Sequence, residues 1–251
     1  MRERLDKLLI KKGLASSRER AKALILEGRV LVNTLPVDKA GTLIDERAEI
    51  VLRGEELPYA SRGGLKLEGA LEHFHIQLDG LVVMDVGAST GGFTDCMLQR
   101  GARKVYAVDV GYGQLSWKLR KDPRVVVLER TNIRYLTGEM VPEKVDLVTI
   151  DVSFISLLKV VPKILEFLKD GGGILALIKP QFEVGKGEVD KGGVIKSIEK
   201  RMNVVMRITE GFESLDLDVQ GVSESPVKGQ KGNIEYFIYV IKPAQAGSQV
   251  H

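Results

Sequence analysis

Apolar and polar positions alternate along the chain in two different rhythms. Near the N-terminus Leu5, Leu8, Leu9 and Ile10 recur at helical spacing, and Gly13 follows as a stop. Ser16 or Ser17 then caps a second predicted helix, SSRERAKALILEG, which ends at Gly28. Its apolar face is Ala21, Leu24 and Ile25; Arg18, Arg20 and Lys22 lie on or beside the opposite face. Two β-like runs follow, RVLVN and AEIVLRG, with polar and turn residues between them. The pattern predicts a small α+β unit of about 55 residues, a size that folds alone only marginally.

Beyond the linker EELPYASRGG the rhythm changes. The runs LVVMDVG, KVYAVDV, RVVVLE, KVDLVTID and GGILALIK are short, β-branched and nearly continuous in apolar residues. The stretches GFTDCMLQRG, QLSWKLRK and SFISLLKVVPKILEFLKDG separate them as expected helices. Strands buried on both faces and alternating with helices specify an α/β fold with a doubly wound, mostly parallel sheet. Two later runs, LDLDVQGVSES and NIEYFIYVIK, supply an antiparallel hairpin at its edge. Five βα units closed by such a pair resemble the Rossmann-like methyltransferases that use S-adenosylmethionine. The glycine-rich stretch FEVGKGEVDKGGVIK (182–196) is expected to be a mobile substrate lid, with Lys186, Lys191 and Lys196 available to phosphates, or else a solvated linker. The expected division is 1–57 for the N-terminal unit, 58–63 for the linker, 64–243 for the second domain and 244–251 for a disordered tail.

Composition narrows the function classes. Hydrophobic content of 44% and charged content of 28% are those of an ordinary globular protein. The single cysteine, Cys96, excludes an intrachain disulfide and suits a reducing cytoplasm. With three scattered histidines it also provides no zinc ligand set, and no metal is expected. No signal-peptide core and no apolar run of membrane-spanning length is present, so no membrane association is expected. Of the net charge of +3, residues 1–30 carry +5. That excess comes from Arg2, Arg4, Lys7, Lys11, Lys12, Arg18, Arg20, Lys22 and Arg29, and it points to RNA as partner.

The candidate chemistry sits at the ends of the predicted strands, where open α/β sheets bind ligands. The first is followed by DVGASTGGFT (85–94), a glycine-rich turn that lets backbone approach a ligand but lacks the spacing of a dinucleotide fingerprint. Asp85 leads it and is expected to face the positive groups of S-adenosylmethionine. Asp109 closes the second strand, where an acid accepts ribose hydroxyls, and Asn132 follows the third, placed to pair with an adenine edge. Turn capping is the alternative for each. The fourth strand delivers Asp151 and the fifth Lys179. For Lys179 the alternative is a snorkelling strand-end lysine.

Several of these motifs carry resemblances. The stretch RLDKLL through SRERAKALILEGRVLVN resembles the small RNA-binding domain first known from ribosomal protein S-four. Lys66, Asp151, Lys179 and Glu235, in that order, resemble the tetrad of FtsJ-like ribose 2′-O-methyltransferases. With SRGGLKL, DVGASTGGFTDC, TIDVSFISL, KPQFE and KGNIEYF all present, residues 1–242 resemble the TlyA family, historically labelled hemolysin A, which includes ribosomal-RNA 2′-O-methyltransferases. The resemblance implies those four residues as catalytic, and Gly87, Ser89, Thr90, Gly91, Gly92, Phe93, Asp109 and Asn132 as lining the S-adenosylmethionine site. It implies ribosomal RNA or ribosomal subunits as substrate; no obligate protein partner is implied, and a monomer suffices.

A ribose hydroxyl needs its proton withdrawn before it can attack. A free lysine is protonated at neutral pH, and desolvation beside a second cation adapts it to general-base work. Lys179 is the favoured base because it follows a buried strand, although Lys66 shares the required chemistry. Asp151 would orient Lys179, and Glu235 would hold Lys66 or the hydroxyl. The rival readings are a cytolysin, a non-catalytic RNA-binding protein with a decayed methyltransferase fold, and a methyltransferase for small molecules or protein. Buried strands, intact motifs and the basic N-terminal unit argue against each in turn.

Overall fold

The computed structural model describes residues 2–26, 28–53, 57–185, 189 and 192–244. The N-terminal unit runs β1 (Arg2–Arg4), α1 (Leu5–Lys11), α2 (Arg18–Leu26), β2 (Val30–Val32), β3 (Leu35–Pro36), β4 (Leu43–Asp45) and β5 (Ile50–Leu52). Both helices end where expected, because Gly13 and Gly28 take left-handed backbone at φ +70° and +68°. Leu5, Leu9, Ala21, Leu24, Ile25 and Val30 form its own small core. Strand β2 pairs antiparallel with β3 and β5, and β1 pairs antiparallel with β4.

The second part runs α3 (Gly63–His73), β6 (Val82–Val86), α4 (Gly92–Gln99), β7 (Lys104–Val108), α5 (Trp117–Arg120), β8 (Val125–Leu128), β9 (Val145–Ile150), α6 (Val161–Ile164), β10 (Leu168–Ile178), α7 (Pro180–Glu183), α8 (Ile198–Glu213), β11 (Asp218–Glu224) and β12 (Tyr236–Ile241). Its seven strands lie in the order β11-β12-β10-β9-β6-β7-β8. The five from β10 to β8 are parallel. Strands β11 and β12 form the antiparallel edge, as the hairpin reading anticipated. Separate apolar cores cover the two faces of the sheet. The chain leaves β6 toward β7 on one side and returns to β9 on the other. The gap between the ends of β6 and β9 is therefore the topological switch point, where such sheets bind ligands.

Three local expectations need correction. The stretch 153–171 is not one helix. Ser156 caps a single 3₁₀ turn at Leu157–Lys159, and Pro162 lies in the first turn of the four-residue α6. A proline lacks the N–H that a longer helix would require at that point, and β10 has already begun at Leu168. Similarly, QLSWKLRK contracts to one turn, α5. Finally, the expected lid is anchored at its far end. Ile195 is buried, its N–H donates to Asn233 Oδ1 at 3.1 Å, and Asn233 Nδ2 donates to the Gly193 carbonyl at 2.9 Å. Lys186, Lys191 and the tail 245–251 lie outside the described residues, as do 54–56 in the expected linker.

Candidate active site

The turn after β6 is shaped by close approach. Gly87 has φ +91°, and a Cβ there would stand 2.5 Å from the carbonyl oxygen of Asp151, so β6 and β9 end nearly in contact. Ser89 also adopts left-handed backbone, at φ +48°. Its N–H donates to Asp109 Oδ2 at 2.7 Å, while the Gly111 N–H donates to Oδ1 at 2.6 Å. One carboxylate thus ties the first strand's loop to the second's. Gly91, at φ +94°, backs against Leu115 and Leu119, where a Cβ would collide with both side chains. Gly92 opens α4, and Phe93 stacks on Phe237 with ring centres 6.1 Å apart.

Two cavities open at this edge. The larger, about 550 Å³, is bounded by Asp109, Asn132, Val108, Ile133, Val152 and Phe154, among others. A carboxylate, a primary amide and apolar walls together fit a nucleoside. The smaller, about 210 Å³, is bounded by Lys66, Gly92, Phe93, Thr90 and the 227–230 loop. Gly87, Ser89 and Asp151 border both. Asn132 Oδ1 accepts from the Arg134 N–H at 3.1 Å, so this side chain caps a turn and lines the cavity at once.

Asp85 is placed differently from expectation. It is fully buried beneath the loop and borders neither cavity. Thr94 Oγ1 donates to it at 2.6 Å and Thr149 Oγ1 at 3.3 Å. Burial raises its carboxyl to about 7, and the nearby Asp151 charge adds to that shift. Direct contact with a ligand is replaced by support of the loop and of the N-terminal turn of α4.

The four distant residues of the expected tetrad meet as two ion pairs. Lys66, in the first turns of α3, places Nζ 2.6 Å from Glu235 Oε2 just ahead of β12. Lys179, directly after β10, places Nζ 2.5 Å from Asp151 Oδ1 and 3.0 Å from Ser153 Oγ. Lys66 and Asp151 border the smaller cavity, and Glu235 and Lys179 are their ion-pair partners. Lys179 is therefore not a snorkelling surface residue, because its stem and amine are drawn into this cluster.

Sequence reasoning overlooked what surrounds the tetrad. Gln181 Nε2 donates to Glu235 Oε1 at 2.9 Å, and Glu183 Oε1 accepts from the Leu157 N–H at 2.8 Å. Residues 179, 181 and 183 thus pin α7 to three separate elements. The motif KPQFE was visible, but nothing in one sequence reveals whom its glutamine meets. Phe154 was likewise missed: it is 86% exposed, left-handed at φ +64°, and packs against Phe182.

The basic N-terminal residues separate into two groups. Asp6 is buried and accepts from Arg4 Nε and Nη2 and from Arg18 Nε, each at 3.0 Å. Lys11 pairs with Glu46 at 3.0 Å, and Arg29 Nε donates to the Arg53 carbonyl at 3.0 Å. Arg2, Lys7, Lys12 and Lys22 are exposed and Arg20 is half-buried.

Comparison with known proteins identifies the family. Residues 59–242 match the FtsJ-like methyltransferase family, and residues 3–50 match the S4 domain. The chain is 48% identical over 240 residues to the 16S/23S rRNA (cytidine-2′-O)-methyltransferase TlyA of Mycobacterium tuberculosis, covering 95% of this chain and 90% of that protein. It is 42% identical to Hemolysin A of Brachyspira hyodysenteriae, over 95% of this chain and 99% of that one. A solved structure titled "Putative hemolysin from Streptococcus thermophilus" superimposes with a TM-score of 0.76 at 43% identity, covering 96% of this chain and 89% of that one. The chain belongs to the FtsJ-like methyltransferase family, in its S4-bearing TlyA branch.

Proposed function

We propose that this chain transfers a methyl group from S-adenosylmethionine to a ribose 2′-hydroxyl of ribosomal RNA. The observation that carries the reading is the meeting of Lys66–Glu235 and Lys179–Asp151 around a cavity that shares Asp151 with a nucleoside-sized neighbour. The relative named for this activity is 48% identical over nearly the whole chain.

In this reading Asp109 and Asn132 hold the nucleoside half of S-adenosylmethionine, and Gly87, Ser89, Thr90, Gly92 and Phe93 surround the rest, with Asp85 and Gly91 acting from beneath. The bound cofactor supplies an electrophilic methyl group on a sulfonium. Lys179 Nζ, in its neutral form, accepts the hydroxyl proton, and the ammonium that results is stabilised by Asp151 Oδ1 at 2.5 Å. Lys66, its charge balanced by Glu235, donates to the ribose oxygen and aligns it. The exposed cations of residues 1–57 hold the RNA, and residues 58–63 join that unit to the catalytic one at 64–243. A cytoplasmic protein without an obligate partner is consistent with this work. Among the described residues no helix is long and apolar enough to cross a membrane.

The test is transfer of labelled methyl from S-adenosylmethionine to purified ribosomal subunits, followed by digestion of the RNA to nucleosides. Label is expected in 2′-O-methylnucleosides. Label confined to bases or protein, or none at all, would overturn the reading.

A further inference from the structure

A cleft outside both active-site cavities separates α2 from the segment leading into α5. One wall carries Ser17, Glu19 and Arg20; the other carries Tyr112, Trp117 and Lys118. Aromatic side chains of this size bury most of their surface in an ordinary core, yet Tyr112 is 69% exposed and Trp117 60%. Each is accompanied by a cation. Arg130 Cζ lies 4.2 Å from the Tyr112 ring centre, and Lys121 Nζ lies 4.6 Å from that of Trp117. The cleft carries a positive excess. Arg20, Lys118 and Arg120 line it and Lys121 and Arg130 stand over its rings, against Glu19, Asp95 and Glu129, the last paired with Arg120.

The cleft is also joined to the catalytic edge. Thr90 and Gln114 line its inner end, and the Ser116 N–H donates to the Thr90 carbonyl at 3.2 Å. Whatever lies in it runs from the basic helix α2 to the cofactor loop. Exposed ring faces beside cations match the two demands of single-stranded nucleic acid, a surface for base stacking and neutralisation of phosphate.

We propose that this cleft is a path for single-stranded RNA, with bases stacked on Trp117 and Tyr112 and phosphates on Arg20, Lys118 and Lys121. The inference rests on the reading of the chain as an RNA methyltransferase and adds a contact surface outside the tetrad and the cofactor cavity. Trp117 is the single tryptophan of the chain, so its emission reports on the cleft alone. The experiment titrates the full-length protein with a short, fluorescently labelled oligoribonucleotide and follows label anisotropy and Trp117 emission together. Emission should be quenched and should saturate at the same RNA concentration as anisotropy. Trp117→Ala and Tyr112→Ala should each weaken RNA binding roughly tenfold. Trp117→Phe should retain most of the affinity, and S-adenosylmethionine binding by calorimetry should be unchanged in all three. Rising anisotropy with constant Trp117 emission and unaltered affinity of the alanine variants would overturn the proposal while leaving the methyltransferase reading intact. Absence of any RNA binding or methyl transfer by the unaltered chain would instead remove both.

Discussion

Gln181 Nε2 donates to Glu235 Oε1 at 2.9 Å, while the other oxygen of the same carboxylate is held by Lys66 at 2.6 Å. Glu235 is buried and enclosed on a third side by Gly229, where a Cβ would stand 2.0 Å from Oε1. The carboxylate has no room to turn, and Lys66 inherits that rigidity. Because Gln181 lies two residues beyond Lys179, one short turn of chain sets the position of both ion pairs.

Gln181→Ala should therefore lower kcat without abolishing it. A hydrogen bond to a charged group is worth about 1.5–3 kcal/mol, which corresponds to a loss of roughly tenfold to a hundredfold. KM for RNA and affinity for S-adenosylmethionine should stay near the wild-type values, since Gln181 borders neither cavity. Gln181→Glu, which sets a second carboxylate against Glu235, should cost more than Gln181→Ala. Steady-state kinetics of the three proteins decides the order.

Asp85 predicts a pH dependence. Its folded carboxyl is raised to about 7, above the ordinary value near 3.9. The folded state therefore holds the proton more tightly than the unfolded chain does. The stability this contributes is complete below pH ~4 and is lost as pH rises through about 7. Asp85→Asn keeps an acceptor for Thr94 and carries no charge. Its melting temperature should exceed that of the wild type by several degrees at pH 8, with the difference vanishing near pH 4. Parallel melting curves across pH 4–8 for the two proteins would contradict the assignment.

Asp6 carries the opposite sign. Arg4, first through its hydrogen bonds, and then Arg18 hold this buried carboxyl well below the usual carboxylate range. Its stability contribution is present above pH ~4 and is lost as pH falls toward the depressed value. Asp6→Ala should destabilise the N-terminal unit by about 2 kcal/mol, leaving two arginines without their shared partner. Hydrogen exchange should show amides of α1 and α2 losing protection, while those of β6 and β9 keep theirs. Loss of protection spread evenly over both parts would show that Asp6 does not act locally.

The parallel strands were legible because a strand buried on both faces must be apolar throughout; LVVMDV and ILALIK admit little else. Asp151 and Lys179 stood out as charged residues at the ends of such strands, whereas Lys66 and Glu235 entered only through the resemblance to FtsJ-like methyltransferases. Elsewhere local signals were missed or outweighed. Helix α8 went unread although Ser197 caps it and Val204, Ile208 and Phe212 bury one face at helical spacing, because the glycine-rich run before it dominated that region. The apolar stretch 153–171 suggested a long helix, and Pro162 overruled it. The partners of Asp85, Asp6 and Gln181 are set by tertiary packing across 64, 12 and 54 residues of chain respectively. No periodicity encodes such meetings, so Asp85 was expected to face the ligand and Arg4 and Arg18 were counted only among the RNA contacts.

The central claim, that Lys179 takes the proton from the ribose hydroxyl, is tested most directly by single-turnover methyl transfer with Lys179→Ala on ribosomal subunits. The variant should fold, bind S-adenosylmethionine and RNA with wild-type affinity, and transfer methyl at least a hundredfold more slowly. Transfer at an undiminished rate, with binding intact, would exclude Lys179 as the base.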